Sequence, residues 1–330
     1  MLIDMFAHFV PDQALDNLVK LNSRCSELQD GVLMADSLHD VDARFRQMDE
    51  IGGFPHVIMS SNPPLEEMDS PEQGAEAARI VNDALAETQH AHPDRFPAFA
   101  GSLALHNVEA SVDEVHRLMR DLGAKGVQLN TNATGLALDD PRFAPVFDAL
   151  HEEDATIWMH PQRTHLTKDY EGEEFARYAT WASMGWPCAT TVAMIRMAAT
   201  GMFDRYPGMR VITHHLGGMI PFFAERAAIG FTHAYKGTPD ENHMEERKKL
   251  KGPSAIICTC FTAIRPSAGC NRRCAAASNF SAPRMWSSPR IHPSANPWNA
   301  PRCWTGWNWT PTRANIGYRN AEKILKMKFA

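Results

Sequence analysis

Short runs of apolar residues alternate along this chain with longer stretches in which apolar residues recur at helical spacing. The short runs predict buried strands, and an amphipathic stretch that predicts a helix follows each of them. The six predicted strands are Leu2–Ala7, His56–Ser60, Phe96–Leu103, Gly126–Leu129, Thr156–His160 and Arg210–His214. The predicted helices are Val41–Met48, Glu72–Thr88, Pro141–His151, Thr190–Phe203, Ile220–Ala228 and a helix that Asn107 caps and that runs to about Leu122.

This alternation indicates parallel strands connected by helical crossovers, and therefore an α/β fold. Six strand–helix units would also suit an open doubly wound sheet, whereas a closed (β/α)8 TIM barrel needs eight. Residues 229–330 have the length for the two further units. We therefore predict a single barrel domain over residues 1–330.

Composition limits the classes of partner and location. With 44% hydrophobic and 22% charged residues the chain can bury a large core, and a net charge of −6 does not suggest a nucleic-acid partner. No apolar run approaches the ~20 residues that cross a bilayer, so we expect no membrane association. Asp4 and His8 interrupt the first apolar run, which argues against a signal peptide, and we expect a cytoplasmic protein.

Residues 254–311 differ from the rest of the sequence. This segment contains no Asp, Glu, Lys, Leu or Val, yet it holds five of the eight Trp and five of the seven Cys residues. A metal site is one interpretation, and a disordered Pro-rich insert is another. The cysteine spacing is unusual for zinc, and disordered segments are usually poor in Trp and Cys. The candidate ligands would be Cys258, Cys260, Cys270 and Cys274.

A shifted reading frame explains more of this segment. In this shifted frame, each codon consists of the third base of one written codon and the first two bases of the next. Read in this way, the segment can encode acidic residues and the strand-like string HVVFATD. The Asp of this string falls near Arg290. Ordinary sequence resumes at about Thr312 with the amphipathic stretch Ala314–Lys328. We predict that two compensating insertions or deletions garble the last two βα units. Sequencing the gene across codons 250 to 315 tests this hypothesis.

Histidines stand at the carboxyl ends of three predicted strands. His8 follows the first strand, His160 ends the fifth, and His214 and His215 end the sixth. In a parallel barrel these strand ends face one common mouth. Imidazole binds zinc and similar metals and exchanges protons near neutral pH. A lone histidine here would be an ordinary polar residue, but three in register predict a shared site.

Several motifs resemble those of the amidohydrolase-related decarboxylases, the aminocarboxymuconate semialdehyde decarboxylase-like family. The opening run, with Ile3, Asp4, His8, Phe9 and Pro11, is similar to the first strand of that family. Further similar segments cover the fifth strand, the sixth-strand region and the C-terminal end. These segments are Trp158–Pro161, Phe203–Pro207, Arg210–Gly218, Pro221–Phe223 and Arg319–Glu322.

The resemblance implies roles for individual positions. His8 would be the second histidine of the N-terminal ligand pair, and His160 the ligand from the fifth strand. His215 would be the catalytic histidine, and we assign no role to its neighbour His214. Two departures bear on the implied divalent metal, for which we expect one zinc ion: Phe6 replaces the first ligand, and the eighth-strand Asp is missing from the sequence as written.

The resemblance implies non-oxidative decarboxylation of an aromatic or unsaturated carboxylic acid, with His215 as general acid or base. Arg163 could bind the carboxylate of this small-molecule substrate, although it could equally be a plain loop charge. Hydrolysis of a lactone or amide is an alternative, and an inactive, incompletely folded product is another. The aromatic side chains of the loop Thr164–Trp186 could contact substrate or form an oligomer interface, and the family suggests a homodimer.

Overall fold

Parallel strands form the centre of the fold. The computed structural model describes residues 3–21, 35–60, 64–220, 222–223, 226–227, 250, 321–322 and 324–327. Seven parallel strands in this part of the chain are β1 (Asp4–His8), β2 (His56–Met59), β3 (Ala98–Phe99), β4 (Gly101–Ser102), β5 (Gly126–Asn130), β8 (Thr156–His160) and β9 (Arg210–Thr213). The short strands β6 (Asn132–Ala133) and β7 (Leu136–Ala137) form an antiparallel pair.

The parallel strands form two sheets, ordered β1–β2–β3 and β4–β5–β8–β9. One continuous run of chain contributes to both sheets, because β3 and β4 are separated only by Ala100. The amide of Ala100 donates to the carbonyl of Ile58 in β2 at 3.0 Å. Within the described residues, the strands therefore follow the chain order expected of barrel units linked by crossovers.

Helices connect the strands and cover their outer faces. Local capping explains where two of them begin: the Ser70 side chain accepts from the amide of Gln73, and the Asn107 side chain accepts from the amide of Ala110. The described helices are α1 (Asp12–Leu21), α2 (Val41–Glu50), α3 (Pro71–Ala91), α4 (Val108–Arg120), α5 (Ala144–Glu152), α6 (Thr180–Ser183), α7 (Gly185–Ala199) and α8 (Met202–Arg205).

The inner faces of the strands form a second core, separate from the layer between strands and helices. Trp158 of β8 is fully buried there, and its Nε1 donates to the carbonyl of Met5 in β1 at 2.6 Å. Phe6, Ile212 and Leu325 belong to the same apolar cluster. This packed interior supports the strand ends, where the predicted histidines lie.

The six predicted strands are confirmed with small shifts of their ends, although the predicted strand at residues 96–103 divides into β3 and β4. The sequence analysis missed α1, α6 and the β6–β7 pair. The single helix predicted at residues 190–203 is divided between α7 and α8. The predicted helix at residues 220–228 lies partly outside the described residues, and the altered segment 254–311 lies entirely outside them. Among the described helices, none is both long and apolar enough to cross a lipid bilayer.

Candidate metal and catalytic site

Three histidines converge at the carboxyl ends of the strands. His8 is the last residue of β1, His160 is the last residue of β8, and His214 directly follows β9. Each pair of these rings has a centroid separation of 5.1 Å, and one ring nitrogen from each lies within 4.8 Å of the others. The structure thus brings the two predicted ligands together and adds His214, to which we had assigned no role.

Four of the six ring nitrogens of this cluster are shielded from solvent and lack hydrogen-bond partners. This holds for both ring nitrogens of His8 and for the Nδ1 atoms of His160 and His214. A buried polar atom without a partner costs about 1–3 kcal/mol, so a group that binds these nitrogens would recover that cost. The donor set therefore fits a divalent metal ion.

The protonation state of the cluster also suits metal binding. Burial lowers the pKa of His160 to about 3, with a further contribution from His215. Burial, followed by the charges of His160 and Arg44, holds the pKa of His8 well below its usual value. Burial likewise lowers the pKa of His214. All three imidazoles are therefore neutral near pH 7, which is the form that binds metal ions.

His215 lies beside this cluster in an unusual backbone conformation. Its φ angle is +50°, in the left-handed region that non-glycine residues seldom adopt and that is often found at functional sites. Its ring centroid lies 4.0 Å from that of His214, and its ring stacks on Trp186. The amide of Met219 donates to Thr191 Oγ1 at 2.8 Å, which fastens the turn after His215 to α7.

Phe6 occupies the position next to His8 on the same face of β1, because side chains two residues apart on a strand share a face. Its ring centroid lies 4.6 Å from that of His214 and 5.5 Å from that of His8. A hydrocarbon ring therefore fills the place of the first expected ligand, as the sequence indicated.

Arg163 follows His160 by three residues, and its charge already has a partner. Its Nη2 donates to Asp169 Oδ1 at 3.0 Å. Its backbone carbonyl accepts from Trp186 Nε1 at 3.0 Å, and Trp186 lies 6.3 Å from the His160 ring. Gly185 packs against the same side chain, since a Cβ there would lie 2.6 Å from Arg163 Cδ and would displace the Arg163 side chain. The role of Arg163 in substrate binding stays a prediction.

The sequence analysis missed a buried arginine behind the site. Arg44 on α2 is 6% exposed and donates from Nη2 to the backbone carbonyl of His8. Burial lowers its pKa to about 10, which the carboxylate of Asp4 partly opposes. Arg44 therefore holds the end of β1 in place. Its position in the first turn of a predicted helix gave no sign of this contact.

A buried carboxyl group was also missed. Glu66 accepts from the amide of Leu105 at 3.4 Å and from Asn130 Nδ2 at 3.3 Å. Burial raises its pKa to about 7. Asn130 ends β5 and pairs in register with His160 of β8, so this network borders the site. A polar residue directly after the predicted fourth strand was the signal in the sequence.

The sequence profile of the family described as Amidohydrolase matches residues 3–235. The chain belongs to the amidohydrolase family. Gamma-resorcylate decarboxylase from Rhodococcus jostii (strain RHA1) is 32% identical over 201 residues, which are 57% of this chain and 60% of that protein. The chain thus matches about 60% of the length of this curated relative.

Solved structures of amidohydrolases share the fold of the chain. The 5-carboxyvanillate decarboxylase from Sphingomonas paucimobilis matches with a TM-score of 0.68 at 20% identity, over 99% of each chain. The dihydroxybenzoic acid decarboxylase from Polaromonas sp. JS666, with bound manganese and 2-nitroresorcinol, matches with a TM-score of 0.66 at 20% identity, over 99% of this chain and 97% of that one. The predicted family and its α/β barrel fold are confirmed.

Proposed function

We propose that this protein is a metal-dependent decarboxylase that removes CO2 without oxidation from an aromatic or unsaturated carboxylic acid. The observation that carries the proposal is the convergence of His8, His160 and His214 beside His215 at the carboxyl ends of the parallel strands. The names of the similar proteins support this reaction and the class of substrate.

The unpartnered nitrogens of His8 and His160 fit one divalent metal ion, for which we propose zinc. When bound, such an ion supplies Lewis-acid chemistry and holds a substrate carboxylate or an adjacent hydroxyl oxygen. The manganese bound by the similar Polaromonas protein supports a divalent ion as the metal. His8 and His160, fixed at the ends of two strands, would set the position of the reacting carboxylate.

His215 is the proposed proton donor. In decarboxylation the bond between ring carbon and carboxyl carbon breaks, CO2 leaves, and the electron pair remaining on the ring carbon takes up a proton. Burial lowers the pKa of His215, so its imidazolium releases the proton readily once it has been loaded from solvent. Trp186 covers one face of the His215 ring and limits access of water there.

The surroundings of the site favour a flat, anionic substrate. Trp186 and Phe6 offer aromatic surface beside the histidines. We propose that Arg163 contacts a carboxylate of the substrate, in exchange for part of its ion pair with Asp169. A cytoplasmic location and a homodimer complete the proposal.

Hydrolysis of a lactone or amide is a second candidate, because a metal held by imidazoles can also activate water. The two reactions differ in their products, since only decarboxylation releases carbon from the substrate. We therefore propose to incubate the full chain with zinc or manganese, a panel of hydroxybenzoates and a panel of aryl lactones. Release of CO2 and a descarboxy product, lost on chelation and in a His215→Asn variant, is the expected result.

Ring opening of lactones without CO2 would favour the hydrolase. If neither panel is consumed and no metal is retained, the chain is an inactive product. A His90→Asn variant provides the matched control, because His90 is exposed on α3 and does not belong to the histidine cluster. Its activity should equal that of the unmodified chain.

A further inference from the structure

We propose that His214 is a metal ligand in this protein and takes the place of the ligand that Phe6 cannot supply. The inference rests on the proposed metal site and specifies its composition: His8, His160 and His214 would bind one divalent ion through three imidazole nitrogens.

The three rings form an almost equilateral triangle, since each pair of centroids is 5.1 Å apart. The ligand nitrogens lie within 4.8 Å of one another. A tetrahedral ion with metal–nitrogen bonds of about 2.1 Å needs nitrogens roughly 3.4 Å apart. Small rotations of the three side chains would bring the nitrogens to this separation, with the backbone of β1, β8 and β9 left in place.

The backbone gives His214 and His215 different positions, although they are neighbours in sequence. His214 continues the extended conformation of β9, with φ −65° and ψ 167°, and its amide donates to the carbonyl of Met159 in β8 at 3.1 Å. His215 turns into the left-handed region and stacks on Trp186. Among the described residues, His215 lies outside the group whose ligand atoms meet within 4.8 Å.

Phe6 lies next to His214, with ring centroids 4.6 Å apart. The position that cannot bind metal is therefore in contact with the additional histidine. One ring in this pair supplies a nitrogen, and the other supplies apolar packing. With His214 the cluster offers three imidazoles, which is the usual number of protein ligands at a catalytic zinc site.

A donor set of three neutral imidazoles has consequences for the choice of metal. Nitrogen ligands suit zinc, cobalt and copper, whereas manganese and magnesium prefer carboxylate and other oxygen ligands. We therefore expect the chain to bind zinc and cobalt more tightly than manganese. We also expect cobalt to be bound by three imidazole rings.

Titration of the metal-free full chain with cobalt and zinc tests the inference. Visible absorption reports cobalt coordination, and calorimetry reports zinc affinity. His214→Asn should weaken zinc binding by more than the roughly 10- to 100-fold that loss of an outer-sphere partner costs, and it should change the cobalt spectrum. The matched control His215→Asn should bind zinc within a few-fold of the unmodified chain. Adding Phe6→His to His214→Asn should restore affinity.

Proton NMR of the unmodified cobalt-bound chain gives a measurement that does not depend on the folding of a variant. Three metal-shifted, exchangeable imidazole N–H resonances are expected. Two such resonances, or unchanged zinc affinity in a folded His214→Asn variant, would overturn the inference and leave the proposed site at His8 and His160 standing. If His8→Asn and His160→Asn also bind zinc normally, the proposed function itself fails.

Discussion

The indole of Trp186 lies almost parallel to the imidazole of His215, with ring centroids 5.7 Å apart and 10° between the ring planes. The indole is also held by a hydrogen bond, since its Nε1 donates to the carbonyl of Arg163 at 3.0 Å. Trp186 therefore determines the plane in which the proposed proton donor is held, although it has no acid or base of its own.

Replacing Trp186 tests this positioning role. We expect Trp186→Leu to lower kcat by about 10- to 100-fold with a smaller change in KM, because a misplaced proton donor slows the chemical step. The apparent pKa of the limb of the pH–rate profile that reports His215 should also shift. Trp181→Leu is the matched control, because Trp181 packs on Trp186 in a T-shaped contact, with ring centroids 5.2 Å apart. Equal losses in both variants would contradict the prediction.

The ion pair between Arg163 and Asp169 predicts opposite effects of two substitutions. Arg163→Gln should raise KM about tenfold, the effect of losing roughly 1.4 kcal/mol of substrate binding. Asp169→Asn should lower KM, because it releases the guanidinium from its 3.0 Å contact. Steady-state kinetics on the substrate with the highest turnover measures both. Arg177→Gln should leave KM unchanged, because Arg177 is exposed and pairs with Glu173. Parallel changes in all three variants would exclude the role of Arg163.

The buried carboxyl group of Glu66 predicts a stability that depends on pH. Burial raises its pKa to about 7 in the folded chain. The stability that the protonated Glu66 carboxyl contributes is therefore complete below pH 4.5 and is lost as pH rises through 7. Glu66→Gln carries no charge and can donate to Asn130 Oδ1, which lacks a partner. We expect the variant to gain roughly 2 kcal/mol relative to the unmodified chain between pH 5 and pH 8.

Urea denaturation at both pH values measures this gain, and Glu67→Gln is the matched control. Glu67 is the exposed neighbour of Glu66 and accepts from Gln162 at 2.8 Å. Because Glu67→Gln retains Glu66, it should keep most of the pH dependence of the unmodified chain. If Glu66→Gln keeps the same dependence on pH as the unmodified chain, Glu66 is ionised in the folded protein at pH 5.

His56 predicts the opposite dependence on pH, in a place remote from the metal ligands. It begins β2, is 2% exposed, and neither ring nitrogen has a partner. Burial lowers its pKa to about 3, so the unfolded chain takes up the proton first and stability is lost as pH falls below 6.5. His56→Leu should reduce this loss by up to about 1.4 kcal/mol per pH unit.

Denaturant unfolding of the metal-free chain between pH 7 and pH 5 gives the measurement. His90→Leu, an exposed histidine on α3, should leave the slope unchanged. A His56→Leu variant with the full acid sensitivity of the parent would show that His56 is solvated or paired in solution.

Periodicity in the sequence was sufficient to place β8 at Thr156–His160 and to identify Asn107 as a helix cap, because burial on both faces and capping depend on local sequence. It was insufficient for the β6–β7 pair, where each strand has two residues and the pairing depends on a turn. Strands this short carry too few positions for alternation to be recognised.

The site could be predicted only in part, because some of its features depend on backbone conformation and tertiary packing. His8 and His160 were identifiable because each ends a strand, and parallel strands end at one edge. The choice between His214 and His215 depends on the φ angle of His215, which the sequence does not specify. The contacts of Arg44 with His8 and of Glu66 with Asn130 join residues far apart in the chain, and they follow from packing.

Decarboxylation at a metal site is the central claim, and carbon-13 NMR of a carboxyl-labelled substrate tests it most directly. The full chain would be incubated with 2,6-dihydroxybenzoate labelled at the carboxyl carbon, with zinc, with manganese or with a chelator. We predict that the label moves from the substrate carboxyl signal to CO2 and bicarbonate, in equal amount to the resorcinol formed, and only when metal is present. Retention of the label in an organic product, or equal release in the chelator, would contradict the account.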